Sequence, residues 1–194
     1  MASGSPTWVV LAGGRGSRMG GSKVELELDG RRLIDHVVDA IPDGDPVIVV
    51  GPELELARPV RFCIEEPRYG GPAAALAAAL PLIDTERFVL LAVDMPRAVP
   101  LALDLCRLDR DADVVVLLDA AGRRQPMCSC WRTESARSAM RGMGSIDGAP
   151  LHRLMASMSV AEVPAGEPAR LADIDTPADL RAARAIRGGA PQDT

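Results

Sequence analysis

A glycine-rich loop with three basic side chains carries the clearest chemical signal in the sequence. Residues 13–23 read GGRGSRMGGSK and hold five glycines. Glycines permit tight turns and let backbone N–H groups come close to phosphate oxygens. Arg15, Arg18 and Lys23 add positive charge where an anion would lie. The loop therefore predicts a phosphate-binding site.

Two well-known phosphate loops do not fit this spacing. In the dinucleotide pattern G-x-G-x-x-G, counted from Gly14, Met19 stands at the third glycine position. In the P-loop pattern, Ser22 stands where a glycine precedes the lysine, and Val24 stands where Ser or Thr follows it. A dehydrogenase and a P-loop NTPase are therefore disfavoured, and a phosphate loop of another class is indicated.

Lys23 is the single lysine among the 22 basic residues of the chain. A surface ion pair can be formed by either basic side chain, so a coding bias towards arginine can replace lysines with arginines freely at such positions. The two side chains differ where a compact point charge must fit a narrow site. The position of Lys23, at the end of the glycine loop, indicates such a site.

Carboxylates follow two predicted strands. Glu65 and Glu66 come after the apolar run 60–64, and Asp94 comes after the buried run 88–93. The first strand, 8–12, leads directly into the glycine loop. Carboxyl ends of parallel strands meet at one edge of a sheet, which is where such folds bind ligands. We therefore expect the loop and these carboxylates to converge.

The order of these motifs resembles a known family. Leu11-Ala-Gly-Gly14, then Arg18-Met-Gly20, Lys23 and the segment 28–34 closely resemble the signature of nucleotidyltransferases that activate a substrate with an NTP. Within them the chain is similar to the molybdenum cofactor guanylyltransferases, the MobA family. Four further segments match that family's motifs, over about residues 8–186 in all: 71–75, 93–96, 125–127 and 173–180.

The resemblance implies Mg²⁺-dependent transfer of GMP from GTP to molybdopterin, with release of pyrophosphate. It implies catalytic roles for Arg18, Lys23 and Asp94, and metal contacts from Asp94 and Asp175. The nucleotide-binding residues it implies are Leu11, Ala12, Gly13, Gly14, Lys23, Glu65, Glu66, Gly71 and Asp94. The acceptor-side candidates are Arg97, Arg123, Arg124 and Gln125. The resemblance is also compatible with contacts to other cofactor-biosynthesis proteins.

The choice of base rests on one carboxylate. The family often places an aspartate before Gly-Pro to bind the guanine edge, and here Glu65 or Glu66 must do so. A carboxylate accepts hydrogen bonds from both N1–H and N2–H of guanine. Asp175, however, is more typical of related cytidylyl enzymes. A cytidylyltransferase, an enzyme using another phosphorylated acceptor, and a non-catalytic nucleotide- or cofactor-binding protein remain alternatives.

Short apolar runs alternate with helical periodicity along the chain. This pattern predicts a single-domain, Rossmann-like three-layer α/β/α fold over residues 1–188, with a mostly parallel sheet. The strand predicted at 127–131 is expected to run antiparallel. We expect residues 8–100 to bind nucleotide, residues 101–186 to bind the acceptor, and the tail 189–194 to be disordered.

Composition excludes several classes of protein. The net charge is −5, without a basic run, and five aromatic residues cannot form a base-stacking platform, which disfavours nucleic-acid binding. No apolar run reaches membrane-spanning length, and the first residues lack a signal peptide's features. The four cysteines, Cys128 and Cys130 on one strand face among them, are expected to act as small apolar side chains in a reducing cytoplasm.

Overall fold

Strands and helices alternate through the computed structural model, which describes residues 4–13, 23–108 and 110–185. The strands are β1 (Thr7–Leu11), β2 (Glu27–Leu28), β3 (Arg31–Arg32), β4 (Val47–Val50), β5 (Arg61–Cys63), β6 (Arg87–Ala92), β7 (Val114–Leu118), β8 (Arg124–Arg132) and β9 (Val160–Pro164). The helices are α1 (Leu33–Ala40), α2 (Gly71–Ala79), α3 (Val99–Arg107), α4 (Thr133–Gly142), α5 (Leu151–Met155) and α6 (Pro177–Ala185).

Seven of these strands form one sheet in the order β5-β4-β1-β6-β8-β7-β9. β1 pairs in parallel with β4 on one side and with β6 on the other. The chain therefore adds strands first to one side of β1 and then to the opposite side. The carboxyl ends of β1 and β6 thus lie at the point where strand order reverses, which is the usual ligand-binding place in such sheets.

Helices cover both faces of the sheet, as predicted. One apolar cluster joins the sheet to α1 and α3. The other joins it to α2, α4 and α5. The uncharged helix α2 buries Ala73, Ala74, Ala75 and Leu76, in agreement with its lack of a polar face. The predicted three-layer α/β/α class is confirmed.

β8 runs antiparallel to both of its neighbours, β6 and β7. This confirms the antiparallel strand, which is longer than the predicted run 127–131. Its reversed direction has a consequence for function. The amino end of β8, with Gln125, lies at the same edge of the sheet as the carboxyl ends of β6 and β7, where Leu118 pairs with Arg124.

Other elements differ from the sequence predictions mainly at their ends. The small β2–β3 hairpin was not predicted. The periodicity of the sequence predicts a helix over 151–158, and helix α5 ends earlier, at Met155. The sequence predicts Thr176 as the N-cap of a helix that starts at Pro177, and the contacts agree. Thr176 Oγ1 accepts the N–H of Asp179 at 3.2 Å, while Thr176 N–H donates to Asp179 Oδ2 at 2.8 Å. The tail 189–194 lies outside the described residues.

The cysteine prediction needs a correction. Cys106 of α3 and Cys130 of β8 form a disulfide, with their Cα atoms 5.7 Å apart. Cys128 is buried with Cys130 in one apolar cluster, so the shared strand face is confirmed. Cys130 is nevertheless not an unpaired side chain, because α3 packs on that face and brings Cys106 to it. The cysteines therefore no longer argue for a reducing compartment.

None of the helices in the described part of the chain is long and apolar enough to cross a membrane.

Candidate active site

A first cavity, of about 370 Å³, opens between the carboxyl ends of β1 and β6. Gly13, Asp94 and the start of α2 all contribute to its lining. Its lining residues are Leu11, Gly13, Glu65, Tyr69, Gly71, Pro72, Ala75, Ala92, Val93, Asp94 and Met127. The expected convergence of the glycine loop, Glu65 and Asp94 is therefore present in the fold.

The structure distinguishes the two candidate glutamates. Glu65 is only 7% exposed and lines the first cavity. Its Oε1 accepts the backbone N–H of Tyr69 at 3.1 Å. Glu66 is exposed and does not line that cavity. Only Glu65 is thus placed to hydrogen-bond a ligand there.

Gly13 and Glu65 approach each other closely. A Cβ atom at Gly13 would lie 3.3 Å from Glu65 Oε1. That distance is tighter than ordinary van der Waals contact, so a side chain at residue 13 would push on the carboxylate. The glycine therefore keeps the carboxylate accessible at the end of β1.

The start of α2 forms one wall of the first cavity. Gly71 has a φ of +84°, a left-handed conformation that a residue with a Cβ rarely adopts. Pro72 then occupies the first turn of the helix, where a missing N–H costs nothing. Ala75 lines the cavity, whereas Ala73 and Ala74 are buried without reaching it.

A second cavity, of about 310 Å³, adjoins the first on the β4–β5 side. The two cavities share Gly13, Glu65 and Tyr69. The other residues of the second cavity are Ala12, Gly51, Pro52, Glu53, Ile64 and Arg68. Glu65 thus stands between two spaces, and Ala12 reaches the second one only.

A third cavity, of about 770 Å³, lies on the other side of Asp94. It shares Ala92, Asp94 and Met127 with the first cavity. Its other residues are Met95, Asp119, Ala120, Ala121, Arg123, Arg124, Gln125, Pro168, Ala169, Leu171, Ala172 and Asp173. Three of the four acceptor-side candidates therefore lie here, across Asp94 from the first cavity.

Asp119, which the sequence reasoning missed, organises the turn between β7 and β8. One oxygen, Oδ1, accepts the backbone N–H of Ala121 at 2.8 Å and of Arg123 at 2.9 Å. The other, Oδ2, accepts Arg123 Nε at 2.9 Å and Gln125 Nε2 at 3.1 Å. These donors, chiefly the Arg123 backbone N–H, lower the pKa of Asp119. The spacing of residues around Asp119 in the sequence does not indicate this role, because the role depends on the conformation of the turn.

The arginines of the acceptor side already have partners. Arg123 pairs with Asp119, and Arg124 Nε lies 2.6 Å from Glu162 Oε1. Arg97 does not line the third cavity, and its guanidinium donates instead to the carbonyl oxygen of Ala183. The structure therefore does not bring Arg97 to the acceptor side, because the loop after β6 turns towards α6.

The last loop of the chain brings two more carboxylates towards Asp94. The N–H of Ile174 donates to the carbonyl oxygen of Asp94 at 2.9 Å. The pKa of Asp173 is raised, first by loss of solvation and then by the negative charges of Asp175 and Asp94. Asp173 lines the third cavity, whereas Asp175 does not, and its N–H donates to Asp179 Oδ2 at 3.2 Å. Sequence reasoning chose Asp175 of this Asp-Ile-Asp motif and left out Asp173.

The carboxylates around Asp94 suit a magnesium ion, which shares its ligands with water and substrate, better than a metal ion bound by protein side chains alone. Among the described residues, no group of three or more His, Cys, Asp or Glu side chains could hold a metal ion. Magnesium is usually bound by one or two carboxylates together with waters and substrate phosphates. Asp94, with the negative charge of its neighbours, offers such a partial site.

Part of the predicted loop lies outside the described residues. Gly14 and Arg18 belong to the segment 14–22, and the description resumes with a 3₁₀ turn at Lys23–Glu25. Leu11 and Gly13 line the first cavity from the end of β1.

Residues 8–162 match the family model described as the MobA-like NTP transferase domain. The chain belongs to the MobA-like NTP transferase family. Its catalytic class is therefore that of a nucleotidyltransferase.

Relatives in this family match over most of their length. A probable molybdenum cofactor guanylyltransferase from Synechococcus elongatus is 30% identical over 193 residues, with 90% of this chain and 95% of that protein covered. A probable molybdenum cofactor guanylyltransferase from Mycobacterium marinum is also 30% identical, with 90% of each chain covered. A molybdenum cofactor guanylyltransferase from Cupriavidus metallidurans is 29% identical, with 88% and 90% covered.

Solved structures share the fold of the MobA-like chain. The molybdopterin-guanine dinucleotide biosynthesis protein A of Archaeoglobus fulgidus superposes with a TM-score of 0.70 at 21% identity, covering 95% of this chain and 100% of that one. A nucleotidyl transferase from Methanothermobacter gives a TM-score of 0.75 at 22% identity, with 96% and 100% covered. At these identities the likeness supports the architecture alone.

Proposed function

We propose that this protein transfers GMP from GTP to the terminal phosphate of molybdopterin and releases pyrophosphate. One observation carries the proposal: Asp94 lines both the first cavity and the third, so a single carboxylate borders two adjacent ligand spaces. The names of the relatives, molybdenum cofactor guanylyltransferases, support the choice of nucleotide and acceptor.

The reaction needs positioning rather than a protein nucleophile. A phosphate oxygen of the acceptor attacks the α-phosphorus of GTP, and the bond from that phosphorus to the bridging oxygen breaks as pyrophosphate leaves. Such a transfer is accelerated by alignment and by neutralisation of negative charge. Two cavities that meet at one wall, made by Ala92, Asp94 and Met127, suit this alignment.

We assign the phosphate-binding roles to the glycine loop and its cations. Backbone N–H groups of the segment 13–16 hold phosphate oxygens, Lys23 meets the α-phosphate and Arg18 faces the leaving pyrophosphate. Asp94, with Asp175 as second contact, would hold Mg²⁺, which neutralises phosphate charge when bound. Asp173 adds negative charge beside them.

We assign recognition of guanine to Glu65. Its carboxylate is buried beside the cavities and accepts one backbone N–H, which leaves further lone pairs for a ligand. N1–H and N2–H of guanine are adjacent donors that a carboxylate can accept together. Another base leaves this buried carboxylate unpaired, which penalises its binding.

On the acceptor side, Gln125 and the turn held by Asp119 border the third cavity. The ion pairs of Arg123 and Arg124 keep cationic groups at its rim, where an acceptor phosphate can compete for them. We accordingly assign nucleotide binding mainly to residues 8–100 and acceptor binding mainly to residues 101–186, in a protein that we expect to act in the cytoplasm.

The deciding experiment measures pyrophosphate release with each of the four NTPs, with and without molybdopterin, in Mg²⁺ and in EDTA. We expect release only with GTP, molybdopterin and Mg²⁺ together. A preference for CTP refutes the guanine assignment. A further arm replaces molybdopterin with another phosphorylated acceptor, and release in that arm but not with molybdopterin refutes the acceptor assignment. Tight binding of nucleotide without any release favours a binding protein.

A further inference from the structure

Two large hydrophobic side chains remain exposed in the described part of the chain, and both lie on the second cavity. Ile64 is 45% exposed and Tyr69 is 56% exposed. By contrast, Trp8, Phe88 and Trp131 are fully buried. Apolar surface left in water beside a concave space commonly marks a ligand contact. The second cavity therefore offers apolar surface to a ligand.

The backbone of Tyr69 is held in an unusual conformation. Its φ is +63°, a left-handed value that is rare for a bulky side chain. Its N–H donates to Glu65 Oε1 at 3.1 Å, so the carboxylate holds the residue in place. Conformations of this kind persist where the surrounding structure determines them, and they cluster at ligand-binding sites. The same contact links the position of the tyrosine to that of the carboxylate.

The arrangement of the cavities separates phosphates from base. A triphosphate must reach Asp94, which lines the first cavity and not the second. The second cavity lies beyond Glu65, on the β4–β5 side. A nucleoside triphosphate with its phosphates at Asp94 therefore carries its base towards Glu65 and the second cavity, where Ile64 and Tyr69 supply apolar surface.

We infer that the ring of Tyr69 stacks on the nucleobase, with Ile64 as further apolar contact, and so sets the affinity for the nucleotide. The inference rests on the proposed nucleotidyl transfer and assigns affinity and selectivity for the base to two different residues. Stacking tolerates any base because every base has an aromatic face. Glu65 then selects among bases by hydrogen bonding, while Tyr69 strengthens the binding of all of them.

The affinity test compares Tyr69→Leu with Tyr69→Phe, which keeps the ring. A melting temperature close to that of wild type first verifies that each variant is folded. Kd values for GTP and CTP are then measured by calorimetry, with Mg²⁺ and without acceptor. We expect Tyr69→Leu to weaken both nucleotides about tenfold. The GTP-to-CTP ratio and the Kd of inorganic tripolyphosphate should stay unchanged. Tyr69→Phe should bind within about twofold of wild type.

A spectroscopic test reads the ring directly. Because the chain holds a single tyrosine, incorporation of 3-fluorotyrosine gives one ¹⁹F resonance, from residue 69. GTP should shift this resonance through the ring current of the base, whereas tripolyphosphate, which has no base, should not. A purely structural role of Tyr69 would not produce that difference.

The outcomes separate this inference from the proposed function. Wild-type turnover of GTP, together with unchanged affinity in Tyr69→Leu and an unmoved resonance, overturns the stacking role alone. A shift produced by CTP rather than GTP supports stacking and refutes the guanine assignment. If no nucleotide moves the resonance, the inference is overturned.

Discussion

The N–H of Ile174 donates to the carbonyl oxygen of Asp94 at 2.9 Å, which ties the last loop of the chain to the end of β6. Two segments far apart in sequence thereby bring Asp94, Asp173 and Asp175 into one neighbourhood. Negative charges brought together in this way favour the binding of a cation. This contact is therefore the structural basis for expecting a metal requirement.

We predict that Asp94→Asn slows transfer severely while leaving stability nearly unchanged. The substitution keeps the shape of the side chain and removes the anionic ligand, and a magnesium site with one or two carboxylates depends strongly on each. Pyrophosphate release should fall by about 10²-fold or more at saturating Mg²⁺. The exposed Asp111→Asn serves as control and should keep wild-type turnover. Parallel losses of activity and melting temperature would indicate a turn-stabilising role for Asp94 instead.

Lys23→Arg tests the single lysine. A longer, planar guanidinium does not reproduce a compact point charge at the end of a glycine-rich loop. Loss of one such transition-state contact costs about 10²–10³ in kcat. The matched control is Arg107→Lys, an exchange on the exposed end of α3, which should be silent. Turnover of Lys23→Arg within about threefold of wild type would contradict the assigned role.

Glu65→Gln and Glu66→Gln form a matched pair for base recognition. Only Glu65 is buried beside the cavities, while Glu66 is exposed. Glu65→Gln should keep the hydrogen bond from Tyr69 N–H but reduce GTP-over-CTP selectivity by about tenfold or more, since an amide offers one acceptor oxygen. Glu66→Gln should keep wild-type selectivity. If neither variant changes the kcat/KM ratio of the two nucleotides, other groups bind the base edge.

Stability at acidic pH should depend on Asp113. Its pKa is lowered, first by the Ser135 hydroxyl at 2.5 Å and then by the N–H of Ser159 at 2.9 Å. A lowered folded-state pKa stabilises the fold above the unfolded-state pKa, about 3.9, and the contribution is lost as pH falls through the folded value. Asp113→Asn should therefore destabilise the fold at pH 7. The expected loss is only about 1 kcal/mol, since solvent screens the charge of this partly exposed group.

Urea unfolding at pH 7 and near pH 2 checks this expectation. The difference in the free energy of unfolding between wild type and Asp113→Asn should vanish at the lower pH. A difference that stays constant across pH would mean that the hydrogen bonds stabilise both protonation states equally.

Thiol titration should distinguish the four cysteines. Cys106 and Cys130 are joined, and burial raises the pKa of Cys128 to about 12, so its thiolate is scarce. Without reductant, the native protein should react slowly and mainly at Cys63, which is half-buried. Two thiols should react after denaturation and four after reduction. Four reactive thiols in denatured, unreduced protein would mean that the disulfide is absent in solution.

The sequence predicts most of the architecture because the strongest signals are local. Continuous apolar runs define β1, β4 and β6, and the uncharged segment of α2 indicates a buried helix. The orientation of β8 is also predicted, although its length is not. The residues added at its start, Arg124–Pro126, are polar or lack an N–H, and they become strand only because β7 pairs with this end of β8.

The site is predicted less completely, since its details depend on contacts between distant segments. Glu65 and Glu66 are indistinguishable in sequence, and the path of the chain after β5 alone determines that Glu65 is buried. Asp119 acts through a turn whose donors come from its own neighbours. Cys106 and Cys130 are 24 residues apart and meet only because α3 packs on the sheet.

The wall formed by Ala92, Asp94 and Met127 has a consequence for inhibitor design. It is the shared boundary of the first and third cavities, so two ligands bound on either side of it lie next to each other. A single bisubstrate compound that spans this boundary replaces two binding events with one. The second half of such a compound then binds at the high effective concentration set by a short linker. Substitution of Met127, the flexible member of the wall, should tune the linker length that fits best.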